Sequence, residues 1–176
     1  MMRWLSFFPM LLSVLLMGCS VQSTAQSPTA NPTPTNIQTP ASLGQTLPIS
    51  AQATVPNGTK IDLEVARTPE QQQLGLMYRP ALPDNRGMLF ELPSAQSVRF
   101  WMKNVPVALD MVFLHNGVVR YIQTAAPPCP NEPCPTYGTD VPVDQVIELR
   151  AGRAQELSLK KGDSIKIEFL NTKDLP

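Results

Sequence analysis

The chain has 176 residues and balances 14 Lys and Arg against 14 Asp and Glu, so its formal net charge at pH 7 is zero. Every charge except Arg3 falls from Lys60 onward, and no basic stripe interleaved with aromatic residues occurs there. This distribution argues against nucleic-acid binding, and the length leaves room for one domain with additional segments.

The start of the chain has the layout of an export signal. Arg3 precedes an apolar run from Leu5 to Met17, which is shorter than the about 20 residues that a membrane-spanning helix needs. The run ends in Leu16-Met-Gly-Cys19, which resembles a bacterial lipobox. The resemblance implies a signal peptide over residues 1–18, cleavage before Cys19 and a lipid on its sulfur. The alternative is an ordinary secretory signal in which this cysteine is incidental.

Two or three acyl chains on Cys19 would hold the protein stably on a membrane, because one chain alone binds only marginally. We therefore expect a protein of the cell envelope, anchored through its N-terminal lipid, with its domain in the periplasm or otherwise outside the cytoplasmic membrane. The sequence leaves open which membrane holds the anchor.

The segment from Ser20 to Thr59 contains no charged residue and is rich in Ser, Thr, Gln, Ala, Asn and Pro. Such a composition cannot bury enough apolar surface to offset the entropy lost on ordering. Residues 19–59 are therefore expected to form a lipidated, disordered tether. Ile49–Val55 is apolar enough to add an edge strand to the globular domain, which we place at residues 60–172.

The globular part begins with a strand and a capped helix. Lys60–Ala66 alternates polar and apolar residues, which is typical of a strand with one buried face. Thr68 at the N-cap and Gln71 three residues later form the pattern of a capping box. We predict a helix over residues 69–79 and a further strand over Gly87–Leu92.

The stretch Arg99–Leu114 has the pattern of two strands joined by a short turn at Val105-Pro106. Apolar residues occupy both faces, which favours a strand covered on both sides. Asp110 lies inside this run and needs a partner, because burying an unpaired charge costs several kcal/mol. Lys103 and Asn104, just across the predicted turn, are the nearest candidates for that partner.

Asn116-Gly117 is a strong hairpin signal, because a type I′ turn needs positive φ at both residues. We therefore predict an antiparallel meander of strands over 97–104, 108–115 and 118–125. The remaining predicted elements are an irregular segment over 126–142, a strand over 146–149, a short helix over 151–157 and a closing strand over 164–169. Together these elements predict an α+β domain with a mostly antiparallel, barrel-like sheet and one main helix packed on it.

Several pieces occur in the order found in one protein family. They are Leu74-Gly-Leu-Met-Tyr-Arg79, Gly87-Met-Leu-Phe90, Phe100-Trp-Met-Lys-Asn104 with Leu109-Asp110, Pro128-Cys129 with Cys134-Pro-Thr-Tyr137, and Ala151-Gly152. Together they resemble the DUF192 (UPF0127) family over roughly Lys60 to Leu170. The resemblance implies a compact β-rich fold with a helix packed against it, and it brings no established activity.

Cys129 and Cys134 form an even pair, which in an exported protein predicts a disulfide. A redox role is less favoured, since the spacing differs from Cys-x-x-Cys. A zinc site would need four ligands, and the domain otherwise offers only His115 and carboxylates. His115 is expected to be a solvated turn residue. We therefore predict no metal site and identify no cofactor.

The four methionines of the domain lie on apolar faces: Met77, Met88, Met102 and Met111. If they converged, their thioethers could bind Cu(I). Filling the hydrophobic core is the favoured interpretation.

Six side chains are the best candidates for a ligand-binding cleft: Arg79, Trp101, Lys103, Asn104, Asp110 and Tyr137. An aromatic wall with a few polar groups is typical of a small-ligand pocket, and Trp101 offers a stacking face for a sugar ring. The competing interpretation is that Lys103 and Asp110 form a structural pair. Our hypothesis is that the open face of the central strands, covered by residues 126–137, binds a small polar ligand.

These observations favour a non-enzymatic binding or interaction domain whose partner is a small polar ligand or an envelope protein. One alternative is an envelope enzyme acting on carbohydrate or another small polar substrate, with Asp110 as acid or base. Glycosidase chemistry would then need a second carboxylate at about 5–10 Å, for which Glu91 and Asp140 are candidates. Another alternative is an accessory subunit of a membrane assembly, marked by an exposed apolar patch.

Overall fold

The structure is a computed structural model, and it describes residues 43–171. The predicted signal peptide, Cys19 and the first part of the predicted tether lie outside the described residues. The elements are β1 (Ile49–Thr54), β2 (Lys60–Ala66), α1 (Pro69–Leu74), β3 (Arg86–Trp101), β4 (Leu109–His115), β5 (Val118–Ala126), β6 (Thr136–Arg150), α2 (Arg153–Glu156) and β7 (Lys166–Phe169). Across this range no helix has the length and apolar character needed to cross a membrane.

The strands form one seven-stranded sheet in the order β5-β4-β6-β3-β2-β1-β7, curled into a half-barrel. The predicted barrel-like, strand-rich fold is confirmed. The sheet is mixed, because β2 and β3 run parallel while the other neighbours run antiparallel. The expectation of one main helix is wrong, since α1 and α2 span only 6 and 4 residues.

The curl brings the β4–β5 hairpin against the segment that precedes β7. The amide of Val119 donates to the Asp163 carbonyl at 2.9 Å, and the amide of Ile165 donates to the Gly117 carbonyl at 2.8 Å. Asn116 and Gly117 have φ values of 51° and 72°, which confirms the predicted hairpin turn. The strand predicted at 49–55 is also present, although β1 lies inside the sheet between β2 and β7.

Alternating side chains divide the hydrophobic core into two clusters on opposite faces of the sheet. The inner cluster includes Leu63, Leu89, Val112, Ile147 and Leu149, together with Ala154 of α2. The outer cluster includes Met88, Phe90, Met111, Phe113 and Val146, together with Leu76, Leu82, Met102 and Val105 from the segments that cover this face. The face with the outer cluster is where the candidate site forms.

Helix α1 begins as predicted and ends early. The amide of Gln71 donates to Thr68 Oγ1 at 3.2 Å, and the amide of Thr68 donates to Gln71 Oε1 at 3.1 Å, so the capping box is confirmed. Gly75, with φ 45°, turns the chain out of the helix. A Cβ built there would lie 3.3 Å from Phe90 Cζ, so the chain packs closely against the sheet at this point. The predicted helix to Arg79 is therefore wrong beyond Leu74.

The predicted meander is correct only for β4 and β5. β3 continues from Arg86 beyond Leu92, where the predicted strand ended, and it pairs with β6. Its pairing register shifts between Glu91 and Val98. β6 lies between β3 and β4 and pairs with both, so the predicted 99–114 hairpin does not form. The predicted irregular segment is wrong from Thr136 onward, because β6 begins there. The short helix and the closing strand are confirmed as α2 and β7.

Candidate functional site

Two adjacent cavities lie beside α1 and the turn that follows it, on the face with the outer core cluster. Both are lined by Gln73, Leu74, Met77 and Trp101. We call them the Glu148 cavity, of about 320 Å³, and the Tyr78 cavity, of about 340 Å³. Each is within the size range of pockets that take small molecules.

The Tyr78 cavity has two exposed aromatic side chains in its wall. Tyr78 and Trp101 are each 45% exposed. Lys103 Nζ lies 5.3 Å from the centroid of the Trp101 ring, within the range of a cation–π contact. Glu70 and Asn104 add polar groups to the same wall.

Tyr78 and Asn104 both have positive φ values, 61° and 58°, and the Tyr78 amide donates to the Asn104 carbonyl at 2.8 Å. Asparagine tolerates this conformation, whereas tyrosine adopts it at a cost of about 1–3 kcal/mol. The structure therefore stores local strain at a residue whose ring lines the cavity.

The disulfide loop is docked beside Lys103. Cys129 and Cys134 are bonded, as predicted. The Cys129 amide donates to the Met102 carbonyl at 3.4 Å, and Lys103 Nζ pairs with the carboxylate of Glu132 inside the loop. This loop thus holds the cation that contacts Trp101.

The Glu148 cavity has largely apolar walls and one buried carboxyl group. Its apolar lining comes from Leu74, Leu76, Met77, Phe90, Leu92, Val98, Phe100, Trp101 and Val105. Glu148 lies in β6 opposite Met88 of β3 and Met111 of β4, on the outer face of the sheet. It is only 5% exposed, and within residues 43–171 its carboxyl group has no hydrogen-bond or ion-pair partner.

Burial raises the pKa of Glu148 to about 8, because a charged carboxylate would lose its hydration without gaining a partner. The group is therefore mostly a neutral carboxylic acid at pH 7. A buried acid with a shifted pKa that lines a cavity is a typical mark of a functional site. Sequence analysis missed it, although one acid within the apolar run Val146-Ile-Glu-Leu149 was a visible signal.

Comparison with protein-family models matches residues 51–167 to DUF192, described as "Uncharacterized ACR". The match spans most of the chain. The chain belongs to the DUF192 family. The resemblance noted from the sequence is thereby confirmed at the level of the family. No curated protein is similar enough to match.

Solved structures similar to this DUF192 domain also leave its function open. One is a proposed transcription regulator from Sinorhizobium meliloti 1021, with 33% identity and a TM-score of 0.60, covering 66% of this chain and 90% of that one. Another is a protein of unknown function from Novosphingobium aromaticivorans DSM 12444, with 30% identity and a TM-score of 0.60, covering 66% of this chain and 83% of that one.

The DUF192 domain brings together half of the residues proposed from the sequence. Trp101, Lys103 and Asn104 line the Tyr78 cavity. Tyr137 lies opposite Phe100 in the β3–β6 pairing and packs against the outer core cluster. Arg79 and Asp110 line neither cavity.

Arg79 makes a two-point ion pair with Glu64. Its Nη1 and Nη2 atoms lie 2.7 and 2.9 Å from the two carboxylate oxygens, and Glu64 is only 4% exposed. The amide of Leu47 donates to the same carboxylate at 2.8 Å. Glu64 is thus fully partnered, and Arg79 serves to hold the segment after α1 against β2.

The predicted pair between Lys103 and Asp110 is wrong. Asp110 has no exposed surface, and its two oxygens accept the amides of Ala125 and Ala154, each at 2.8 Å. Two hydrogen bonds from backbone amides stabilise the buried Asp110 carboxylate. Sequence analysis had assigned this role to a cation. The alternative in which Asp110 acts as acid or base has no support in this geometry, because both of its oxygens are occupied and buried.

Three of the predicted core methionines have no exposed surface and belong to the outer cluster: Met88, Met102 and Met111. Met77 lines both cavities. His115 Nδ1 lies 3.2 Å from Asp144 Oδ2 but makes no hydrogen bond, so the two form an ion pair only when the imidazole is protonated. Among residues 43–171, no three His, Cys, Asp or Glu side chains come together as a metal site would require.

Proposed function

We propose that this protein is a lipid-anchored envelope protein whose DUF192 domain binds a small organic molecule in the Tyr78 and Glu148 cavities. The observation that carries the proposal is the pair of adjacent cavities with shared walls, exposed aromatic rings at one end and a buried acid at the other. Mostly apolar walls with a few placed polar groups are the usual composition of small-ligand sites.

The membrane anchor in this proposal is supported by the sequence and by one feature of the domain. The lipobox-like Leu16-Met-Gly-Cys19 precedes a charge-free sequence, and the composition of residues 20–42 is suited to a tether. The Cys129–Cys134 disulfide is of the kind that persists in oxidising compartments outside the cytoplasm.

Regulation of transcription, proposed for the Sinorhizobium relative, is not part of this proposal. Acidic and basic residues are equal in number along this chain, and it lacks the basic stripe that contact with nucleic-acid phosphates requires. We propose that its partners are the membrane, through the lipid, and a small molecule.

The binding proposal is tested by a thermal-shift screen of small molecules on the purified protein and on Trp101→Ala and Lys103→Ala. Compounds that raise the melting temperature of the wild type should do so less in both variants. Phe169→Ala is a matched control, because Phe169 is 46% exposed, lies 5.4 Å from the Arg67 guanidinium and lines neither cavity. Hits that bind all four proteins equally would remove the proposed site.

The anchor is tested by following maturation in a bacterial host. Globomycin, which blocks the lipoprotein signal peptidase, or the change Cys19→Ser should leave an unprocessed precursor. Normal maturation of Cys19→Ser would refute lipidation and favour an ordinary secretory signal.

A further inference from the structure

We propose that the Glu148 cavity binds the ammonium group of a small organic amine, which pairs with the Glu148 carboxylate between aromatic walls. This inference rests on the proposed binding function and specifies the class of ligand.

The first support is the contrast between Glu148 and the other buried acids. Glu64 and Asp110 are as deeply buried, and each has partners for both of its oxygens. Glu148 has no partner among the described residues, and it lines a cavity. A buried polar group without a partner destabilises the folded state, and a charged one does so more strongly. A positively charged ligand with N–H groups would donate hydrogen bonds to the Glu148 carboxylate and balance its charge.

The second support is the aromatic lining around this acid. Phe90, Phe100 and Trp101 all line the cavity, and the rings of Phe90 and Phe100 meet edge to face with their centroids 5.1 Å apart. Aromatic rings attract cations through their quadrupoles, most strongly where water is excluded. The same rings provide apolar surface for the body of the amine.

Binding requires a change in the protonation of Glu148. Since burial raises the pKa of Glu148 to about 8, the acid is mostly neutral at pH 7. When an ammonium group enters, the Glu148 O–H proton leaves to solvent and the resulting carboxylate accepts the ligand N–H groups. The cavity then holds one positive and one negative charge, so no net charge is buried.

Few other charges face Glu148. Arg99 is the other charged side chain that lines this cavity within the described range, and its Nη2 pairs with Asp140 Oδ1 at 2.8 Å. Glu70 and Lys103 line the Tyr78 cavity. Asp110, on the neighbouring β4, points to the opposite face, where it accepts the Ala154 amide. Arg150, two residues along β6, pairs with Asp84 and Glu156. Glu64, next to Met88 in the neighbouring strand, pairs with Arg79. Each of these cations therefore already has an acidic partner, as Arg99 does.

The test is isothermal titration calorimetry of the full-length protein with two probes, 2-phenylethylamine and its neutral analogue 2-phenylethanol. Between about pH 6 and about pH 8 the amine should bind up to about tenfold tighter per pH unit, because its binding releases the Glu148 proton. Titrations in buffers with different heats of ionisation should show release of close to one proton per amine. The alcohol should release none.

Variants separate this inference from the binding proposal. Glu148→Gln should weaken amine binding at least tenfold near pH 8 and abolish the pH dependence of binding. Glu91→Gln is the control, because it makes the same chemical change at a residue that lines neither cavity. It should leave the affinity and its pH dependence unchanged. Trp101→Ala should weaken both probes. If the Glu148→Gln variant does not fold, proton release by the wild type decides the matter.

Amine binding that depends on Trp101 but releases no proton, or that Glu148→Gln leaves intact, would overturn the inference while the binding proposal stands. Tighter binding of the alcohol at low pH would overturn it as well, since Glu148 would then act as a neutral hydrogen-bond donor. Failure of the amine to bind would also overturn it, and the compound screen would judge the binding proposal separately.

Discussion

Glu64, Asp110 and Glu148 are the buried acids of the described residues, and the three environments differ at the level of single hydrogen bonds. Glu64 is held by a guanidinium group, Asp110 by two backbone amides and Glu148 by nothing. The sequence identified Asp110 as buried and in need of a partner. It could not identify the partner, because the Ala125 and Ala154 amides are brought close only by the tertiary fold.

Arg79→Ala should be strongly destabilising. The change would leave the Glu64 carboxylate buried without its cation, and breaking such a pair typically costs about 3–5 kcal/mol. Urea unfolding followed by circular dichroism would measure this loss. Arg99→Ala is the matched control, because the Arg99–Asp140 pair is exposed and should contribute less than about 1 kcal/mol. Equal effects of the two changes would contradict a structural role for Arg79.

Glu148 should make the folded state less stable as the pH rises. Its pKa is about 8 in the folded protein and near 4.5 when unfolded, so between these values the folded state binds more protons than the unfolded state. The free energy of unfolding should therefore fall by up to about 1.4 kcal/mol per pH unit from about pH 4.5 to about pH 8, then level off. Below this window Glu148 should contribute no pH dependence.

Urea unfolding at intervals of one pH unit would measure this slope in the wild type and in Glu148→Gln. Glutamine cannot ionise, so the variant should lose this component and gain stability relative to the wild type as the pH rises. The same slope in both proteins would show that Glu148 is not the titrating group.

At the level of elements, patterns set by neighbouring residues were predicted well. The capping box at Thr68 and Gln71 and the turn at Asn116-Gly117 depend on the contacts of a few consecutive residues, and both form. The predicted pairing of β3 with β4 is wrong, because the turn-like Val105-Pro106 does not determine which strand pairs with β3. β6 occupies that place, and its Val146–Leu149 run is covered on both faces, as a central strand requires.

Asp110 connects three elements, so Asp110→Asn should be destabilising although it conserves shape. The carboxylate of β4 accepts one amide at the end of β5 and another in α2. Asparagine has one acceptor oxygen, and its NH₂ group would face the second amide. We expect a loss of about 1–3 kcal/mol in urea unfolding. Asp140→Asn, at a side chain that is 91% exposed, is the control and should be nearly neutral. A neutral effect of Asp110→Asn would show that water can replace the lost acceptor.

For the whole molecule, the element pattern predicted the barrel-like sheet, and a resemblance in short motifs indicated the family. Sequence analysis also grouped Trp101, Lys103 and Asn104 as candidates for a common site. It did not predict either cavity. Both cavities are lined by the segment that leaves α1 at Gly75 and passes close to Phe90 of β3. This path is a property of the tertiary fold. Positive φ at Tyr78 is likewise imposed by the tertiary fold, since tyrosine disfavours it locally.

The redox state of Cys129 and Cys134 should report the compartment in which the protein folds. If the chain is exported, the disulfide should form, and purified envelope protein should not react with a maleimide at these positions unless it is first reduced. A version lacking residues 1–18 and made in the cytoplasm should instead label at both. Cys129→Ser with Cys134→Ser removes both thiols and identifies the labelled positions.

Loss of this disulfide should also affect the site. The disulfide closes a loop of six residues, which stabilises the fold by roughly 2 kcal/mol in the chain-entropy estimate, so the double variant should unfold at lower urea concentration.

The disulfide loop also carries Glu132, the ion-pair partner of Lys103. Loosening of the loop should therefore free Lys103 from its position near Trp101. Ligands that depend on Lys103 should therefore bind more weakly to the double variant, whereas Glu132→Gln should weaken the same ligands with little loss of stability. Full binding by both variants would show that the loop does not organise the Tyr78 cavity.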